Sequence, residues 1–167
     1  MQRLMKIIEE PLNLLGKYEV ECVIIGGVAS TLYGSTILTN DLDVCYARNT
    51  TNLEKLATAL QSVNAKLRNA SPELPFLLDA DTLRQGLNFT FTTNVGSLDL
   101  LGEVRGVGFY QDVVAEAITY ELFGYLFPVI ELKKLITAKR SAGRAKDLIA
   151  VVELEALLEQ QANPDQS

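Results

Sequence analysis

The chain has 167 residues, about half of them apolar, which is enough for a hydrophobic core and predicts a single domain over residues 1–167. Its 21 acidic and 15 basic residues give a net charge of −6, which argues against general binding to duplex DNA or to an anionic membrane. Because the chain contains no histidine, catalytic triads that use imidazole and zinc sites built from histidine are excluded.

Neither a membrane segment nor a secretion signal is expected. The longest apolar stretches, such as CVIIGGVA, are far shorter than the roughly 20 residues that span a bilayer, and MQRLMKIIEE lacks the apolar centre of a signal peptide. Cys22 and Cys45 stand singly in apolar segments, so we expect reduced thiols in the core. These features predict a cytoplasmic protein without a membrane partner.

The N-terminal part of the chain alternates helical and strand patterns. The apolar spacing of Leu4, Ile7 and Ile8 predicts a helix that breaks near Pro11 and resumes as a short helix to about Gly16. VECVIIGG is then typical of a buried strand, VASTLY of a short helix and DLDVCYA of a second strand.

A second helix signal and a loop follow. The segment TTNLEKLATALQSV has apolar residues at helical spacing, and Thr51 and Glu54 match a capping box, which predicts an amphipathic helix. From Arg68 to Leu78 the chain is rich in proline and polar residues and is predicted to be a loop.

The C-terminal half mixes strands and helices. LNFTFTT and LDLLGEV, joined by NVGS, predict a β-hairpin; QDVVAEAI is helix-like and YLFPVI reads as a strand. Two helices are predicted from about residue 131, followed by a frayed polar tail. This order predicts an α/β (α+β) fold in which a mixed β-sheet is flanked by helices.

Three aspartates on predicted strands are the main functional signal. Residues i and i+2 of a strand point to one face about 7 Å apart, so Asp41 and Asp43 would share a face while Leu42 faces the core. If the strand that holds Asp99 pairs beside them, a third carboxylate joins the cluster. Such a cluster favours Mg²⁺, and two Mg²⁺ ions suit an in-line displacement at phosphorus. The alternative is structural, with Asp41 turning the loop and the other two at solvent-exposed sheet edges.

The glycine pair lies where a strand meets a helix. Without side chains, Gly26 and Gly27 would let a phosphate approach the backbone, and the helix N-terminus with the Ser30 hydroxyl would suit a triphosphate. A tight turn that needs positive φ explains the two glycines equally well without a ligand. P-loop and Rossmann motifs are absent.

A basic segment, KKLITAKRSAGRAKD, stands out in the acidic chain. Lys139 follows the apolar residues Leu135 and Ile136 by one turn, so it would lie toward the carboxylates and bind a triphosphate as a point charge. The alternative is an ordinary solvated face, with Asp147 favoured at a helix N-terminus by the helix dipole.

The order of these motifs resembles a known family. A glycine pair, a short helix, TNDLDV and a distant LDLLG are similar to the pattern of the nucleotidyltransferase fold of the DNA polymerase beta superfamily. LKKLITAKRSAGRAKDL is similar to the tail of small bacterial nucleotidyltransferase-like proteins related to the AbiEii toxins of abortive infection and type IV toxin–antitoxin systems. The matches run from about Val20 to Leu154 and imply a nucleotidyltransferase-like fold.

The resemblance also implies roles for particular residues. Asp41, Asp43 and Asp99 would bind Mg²⁺ and be catalytic, with Asp99 deprotonating or orienting the acceptor. Relatives often carry arginine where this chain has Ile37 and histidine where it has Tyr33. The residues expected to bind the nucleotide are Gly26, Gly27, Ser30, Lys139, Lys146 and Asp147.

The sequence thus predicts an enzyme that transfers a nucleoside monophosphate from an NTP to a hydroxyl on RNA, a protein or a small molecule. The resemblance further implies a link to toxin–antitoxin systems, with a cognate antitoxin or another protein as partner. One alternative is a catalytically silent nucleotidyltransferase-like domain that binds nucleotide or a partner, which Ile37 favours and the three retained aspartates oppose. Another is a small α/β binding module in which all these residues are structural.

Overall fold

The computed structural model describes residues 2–71, 73 and 75–166 of the chain. Within these residues the helices are α1 (Gln2–Lys17), α2 (Gly26–Tyr33), α3 (Thr50–Ser62), α4 (Ala80–Gln85), α5 (Tyr110–Val114), α6 (Leu132–Ala142) and α7 (Ala145–Ala162), with a 3₁₀ turn at Pro164–Gln166. The strands are β1 (Cys22–Ile25), β2 (Leu42–Tyr46), β3 (Lys66–Leu67), β4 (Asn88–Thr93), β5 (Gly96–Leu101), β6 (Glu103–Val104), β7 (Gly108–Phe109), β8 (Ile118–Leu122) and β9 (Tyr125–Val129). None of these helices is long and apolar enough to cross a membrane.

The described strands form a mixed sheet in the order β3–β4–β5–β2–β1–β9–β8, beside a small β6–β7 ribbon. β2 pairs parallel with β5, and β1 pairs parallel with β9. The β1–β2, β3–β4, β4–β5 and β8–β9 pairs are antiparallel. The predicted mixed sheet flanked by helices is confirmed, and so is the hairpin of β4 and β5.

Helix α1 packs against β2, β5, β9 and α3. The predicted break near Pro11 is wrong, because α1 continues through this residue, which is itself buried. Proline inside a helix costs about 3 kcal/mol, whereas each fully buried leucine or isoleucine contributes about 2 kcal/mol. Since Ile8, Leu12 and Leu15 are all buried on the same helix, their burial outweighs the cost at Pro11.

Two further local predictions are wrong. Helix α3 is capped by Asn49, whose side chain accepts a hydrogen bond from the Asn52 backbone, so the Thr51–Glu54 capping box does not form. Asparagine is among the best N-cap residues, which explains the earlier start of the helix. The predicted helix QDVVAEAI ends at Val114, and its last residue already belongs to β8.

The core is built from apolar side chains of the sheet and of the helices packed on it. Cys22 and Cys45 lie there as buried free thiols, as predicted, and burial raises the pKa of each to about 12.

Helices α2, α6 and α7 pack against one another beside the sheet. Glu153 of α7 accepts hydrogen bonds from the Thr36 backbone N–H (3.0 Å) and hydroxyl (2.9 Å), in the loop that leads to β2. The C-terminal helix therefore fixes the loop that precedes the paired aspartates.

Candidate functional site

A row of residues crosses the sheet and brings the predicted carboxylates together. Asp43 of β2 is the direct neighbour of Asp99 on the parallel strand β5. On either side of this pair, Asp43 lies opposite Ile25 of β1, and Asp99 lies opposite Thr90 of β4. Residues directly opposite one another point to the same face of a sheet, so the two carboxylates share one face. The strand of Asp99 therefore does pair beside the strand of Asp43, which was the condition for a cluster of carboxylates.

Gly26 leaves the space that the Asp43 carboxylate occupies. Its φ is +65°, and a Cβ at this position would lie 2.1 Å from Asp43 Oδ2. A side chain here would both strain the backbone and collide with the carboxylate. Gly26 thus has the positive φ that the alternative without a ligand requires, and it also makes room for the Asp43 side chain.

Asp43 carries a strongly perturbed carboxyl group. Burial, followed by the neighbouring charges of Asp99 and Asp41, raises the pKa of Asp43 to about 7, while Lys139 opposes the shift. Two carboxylates held side by side cannot both ionise freely without a cation nearby. Positive charge close to the pair therefore favours the ionised form of Asp43.

Asp99 is already in contact with one cation. Arg68 Nη2 lies 2.9 Å from Asp99 Oδ1, and both side chains are largely buried. The contact is an ion pair without hydrogen-bond alignment, because Asp99 Oδ1 and Arg68 Nε are buried without a hydrogen-bond partner among the described residues. The Arg68 guanidinium instead donates to the Phe91 carbonyl at 2.8 Å.

Asp41 lies just before β2 and is not part of the direct pairing between Asp43 and Asp99. Its backbone carbonyl accepts a hydrogen bond from the Thr39 hydroxyl at 3.2 Å, which agrees with the alternative in which this residue turns the loop. Within residues 2–71, 73 and 75–166, no set of three histidine, cysteine, aspartate or glutamate side chains is arranged to hold a metal ion. The structure pairs Asp43 with Asp99, and metal binding by the three aspartates stays a prediction.

The pair nevertheless fits a hard divalent cation in its donor chemistry. Mg²⁺ prefers one or two carboxylates and completes its shell with water and phosphate oxygens. Asp43 and Asp99 supply two adjacent carboxylates, one oxygen of which is buried without a hydrogen-bond partner in the described part of the chain.

The other members of the predicted triphosphate cradle have structural contacts as well. A Cβ at Gly27 would lie 2.7 Å from Thr39, so close packing explains this glycine. Ser30 is buried and its hydroxyl donates to the Gly26 carbonyl at 3.1 Å, which leaves its oxygen lone pairs as acceptors. Phosphate binding by these residues stays a prediction.

Asp147 organises the basic segment. Its carboxylate is fully buried and accepts hydrogen bonds from Arg144 at 2.6 and 3.2 Å, with Lys139 Nζ 3.6 Å away. Burial alone would raise the pKa of Asp147, but the hydrogen bonds and charge of Arg144, together with Lys139, lower it. Burial lowers the pKa of Lys139, against the attraction of Asp147 and Asp43. Asp147 thus holds two cations beside the carboxylate pair.

Two adjoining depressions meet at the paired carboxylates. Both are lined by Asp43, Asp99, Lys139 and Arg144. The first, of about 150 Å³, is further lined by residues of α2, of the loop before β2 and of α7, namely Gly27, Ser30, Ile37, Thr39, Asp41 and Lys146. The second, of about 200 Å³, is further lined by Ile25, Gly26, Leu101, Ala138, Ala142 and Asp147.

The two positions at which the resemblance implies other residues have defined places in the structure. Ile37 lines the first depression, so an apolar side chain stands where the resemblance implies an arginine. Lys146 is exposed and borders the same depression, and Arg144 lines it too. Tyr33 donates its hydroxyl to the Ile130 carbonyl at 2.7 Å and so ties α2 to the chain before α6.

Sequence reasoning missed Arg68 and Arg144 as site residues. A signal existed for Arg144, because it precedes Asp147 by three residues at a helix start, where such side chains meet. Arg68 gave no signal, since it follows the two-residue strand β3 in the segment predicted to be a loop. Its backbone donates to the Thr90 carbonyl at 2.8 Å, and only this strand addition brings it beside Asp99.

Comparison with known proteins agrees with this architecture. A crystal structure of the lincosamide antibiotic adenylyltransferase LnuA, with lincomycin bound, superposes with a TM-score of 0.61 at 14% sequence identity, covering 91% of this chain and 96% of the other. The chain thus has the fold of this adenylyltransferase. No protein-family profile matches the sequence, and a search of curated protein sequences gives no significant match.

Proposed function

We propose that the protein is a Mg²⁺-dependent nucleotidyltransferase that transfers a nucleoside monophosphate from an NTP to an acceptor hydroxyl. One observation carries this proposal: the direct pairing of Asp43 with Asp99 where two depressions meet. The nucleotidyltransferase fold supports it. A catalytic site for transfer needs room for a donor and an acceptor on either side of the reacting phosphorus, and the two depressions supply it.

The first depression suits the nucleotide. Its cationic residues, Lys139, Arg144 and Lys146, suit the negative charge of a triphosphate. Gly27 lines this depression at the start of α2, where the N–H groups of the first helical turn and the helix dipole favour a phosphate. The second depression, which is lined partly by Ile25, Leu101, Ala138 and Ala142, would receive the acceptor.

The chemistry follows from this arrangement. The oxygen of the acceptor hydroxyl forms a bond to the α-phosphorus, the bond from that phosphorus to the bridging α–β oxygen breaks, and pyrophosphate leaves. The proton of the hydroxyl passes to a carboxylate of the Asp43–Asp99 pair, consistent with the role of deprotonating or orienting the acceptor that the resemblance implies for Asp99. Lys139 and Arg144 would stabilise the negative charge that develops on the leaving pyrophosphate.

Asp41, Asp43 and Asp99 are the residues that would hold Mg²⁺. When bound, the ion would neutralise phosphate charge and favour the ionised acceptor hydroxyl. This role explains why the fold keeps two carboxylates side by side despite their mutual repulsion.

For the acceptor, the proposal includes hydroxyl groups of RNA, proteins and small molecules. The structural neighbour is named for a small antibiotic, which supports the small-molecule class. The proposal extends to a cytoplasmic location and to a toxin–antitoxin relationship in which a cognate antitoxin is the protein partner.

A catalytically silent nucleotide-binding domain is the second candidate. Two observations favour it: Ile37 lines the first depression in place of an arginine, and Arg68 already contacts Asp99. Incubation with each NTP, Mg²⁺ and candidate acceptors separates the two, because only the enzyme releases pyrophosphate.

Thermal unfolding with each of the four NTPs, with and without Mg²⁺, tests the nucleotide site. A ligand at about 100 times its Kd stabilises the native state by about 2.7 kcal/mol, which raises Tm by about 5–10 °C for a domain of this size. We expect this shift only when NTP and Mg²⁺ are both present. Asp43→Asn should abolish it.

The matched control is Asp165→Asn, which removes the same charge from an exposed position in the C-terminal turn. This variant should keep the full shift. Absence of any shift in the wild-type protein, with all four NTPs, would refute both nucleotide-binding proposals and leave the structural alternative.

A further inference from the structure

The charges around the paired carboxylates balance before any ligand arrives. Of the described residues, four carboxylates line the two depressions: Asp41, Asp43, Asp99 and Asp147. Three cations line them as well, Lys139, Arg144 and Lys146, and Arg68 contacts Asp99 as a fourth. A site with no net negative charge does not concentrate free divalent cations.

Arg68 is fixed in this arrangement and is not a mobile surface side chain. Its backbone N–H donates to the Thr90 carbonyl at 2.8 Å and its guanidinium to the Phe91 carbonyl at 2.8 Å. Only about a quarter of the side chain is exposed. Because two hydrogen bonds to β4 hold the residue, its positive charge stays within 2.9 Å of Asp99 Oδ1.

We propose that Arg68 is a positioning residue that occupies Asp99 in the nucleotide-free protein, so that a divalent cation binds together with the nucleotide and not before it. This inference rests on the proposed function. Arg68 and a divalent cation compete for the same carboxylate, and the local cations leave no excess negative charge to attract the metal. A triphosphate supplies the missing negative charge, so the metal is bound once the nucleotide is present.

The consequence is a fixed order of binding, in which the metal does not precede the nucleotide. Metal that enters with the triphosphate is delivered already coordinated to the substrate, and the free protein does not collect metal ions without it. Removing the Arg68 charge should therefore create metal affinity that the wild-type protein lacks, an effect that mere structural damage would not produce.

Binding of Mn²⁺ to the full chain, followed by the electron paramagnetic resonance signal of free Mn²⁺, tests this inference. In the absence of nucleotide, we expect weak binding by the wild type and about tenfold tighter binding by Arg68→Met, since one positive charge next to a ligand oxygen is removed. Arg68→Lys keeps the charge and should bind as weakly as the wild type. With a non-hydrolysable NTP analogue, the wild type should bind Mn²⁺ tightly.

The matched control is Arg84→Met, which removes the same charge from an exposed arginine of α4 that pairs with Asp81. Its Mn²⁺ affinity should equal that of the wild type. Folding is checked by circular dichroism, and if Arg68→Met does not fold, Arg68→Gln serves in its place because the amide can still donate to Phe91.

The outcomes separate the inference from the proposed function. Equal Mn²⁺ affinities of the wild type and Arg68→Met, with nucleotide-dependent Mn²⁺ binding intact, overturn the role of Arg68 and leave the proposed function standing. Mn²⁺ binding by the wild type that is equally tight without nucleotide also overturns the inference. Failure of the wild type to bind Mn²⁺ under any condition refutes the proposed function itself.

Discussion

Replacement of Asp43 by asparagine should make the ligand-free protein more stable at neutral pH. The side chain lies beside Asp99 and is largely buried, and the pKa of Asp43 is raised to about 7 by burial and by the charges of Asp99 and Asp41. Between about pH 4 and pH 7 the folded state therefore binds more protons than the unfolded state. Stability falls with rising pH in this window, because ionising Asp43 is harder in the fold than in the unfolded chain.

The magnitude follows from the shift. One pKa unit corresponds to 1.36 kcal/mol, so a rise from 3.8 to about 7 corresponds to a cost of about 4 kcal/mol at pH 8. The neighbouring charge of Asp99 contributes to this shift, so part of the cost depends on that carboxylate. Asp43→Asn is isosteric and uncharged, so it should recover about 2–4 kcal/mol of unfolding free energy at pH 8 and little at pH 4.

Urea denaturation of the wild type, Asp43→Asn and Asp165→Asn, in the absence of divalent cations and at several values from about pH 4 to about pH 8, measures the effect. The control variant removes an exposed carboxylate and should retain the wild-type dependence on pH. If Asp43→Asn is less stable than the wild type at pH 8, or shows the same loss of stability between pH 4 and pH 8, the carboxylate pair is not under electrostatic strain and the reasoning is refuted.

Three further results are expected. Gly26→Ala should lower the free energy of unfolding by more than the strain of about 1–2 kcal/mol that alanine has at positive φ, because its Cβ also meets Asp43. The control in urea denaturation is Gly124→Ala, where φ is positive but the Cβ has no contact. Equal losses of stability in the two variants would contradict this prediction. Glu153→Gln should speed amide hydrogen exchange in the loop before β2, measured by mass spectrometry, and unchanged exchange would show that this helix does not hold the loop. Asp147→Asn should cost about 3 kcal/mol at pH 7, because it leaves two cations without their buried partner. Since the pKa of Asp147 is lowered, its contribution to stability is present above about pH 4 and is lost as the pH falls further. The difference in unfolding free energy between wild type and variant, measured by urea denaturation, should therefore shrink in acid. A constant difference would refute the ion-pair account.

The fold class and the central pair of carboxylates could be predicted because their signals are local. Side chains alternate in direction along the strand segment LDV. The Asp43 side chain therefore points to the opposite face from those of Leu42 and Val44, which are fully buried. The glycines and the apolar run before them mark the end of a buried strand, and β4 and β5 are joined by a tight turn that the sequence indicates. Each of these features depends on residues close together in the chain.

The contacts of the site could not be predicted because they depend on strand order. Arg68 reaches Asp99 only across β4, through pairings that no short sequence window contains. The continuous α1 had the same cause, since burial of Ile8, Leu12 and Leu15 by the sheet outweighs a local proline signal. Local patterns predict which residues share a face, whereas tertiary packing decides which faces meet.

The parallel pairing of β2 with β5 has a consequence for how this protein can vary. Because successive strand residues point to opposite faces, gain or loss of one residue in the loop before Leu42 would turn the Asp43 carboxylate into the apolar layer and an apolar side chain toward Asp99. Changes of two residues would restore the facing but move the carboxylate along the strand by about 7 Å, away from its partner. The length of that loop, which Glu153 fixes at Thr36, is therefore as strict a requirement as the identity of the aspartates. Insertions are tolerated far more readily in the turn between β8 and β9, where Gly124 lies in open space.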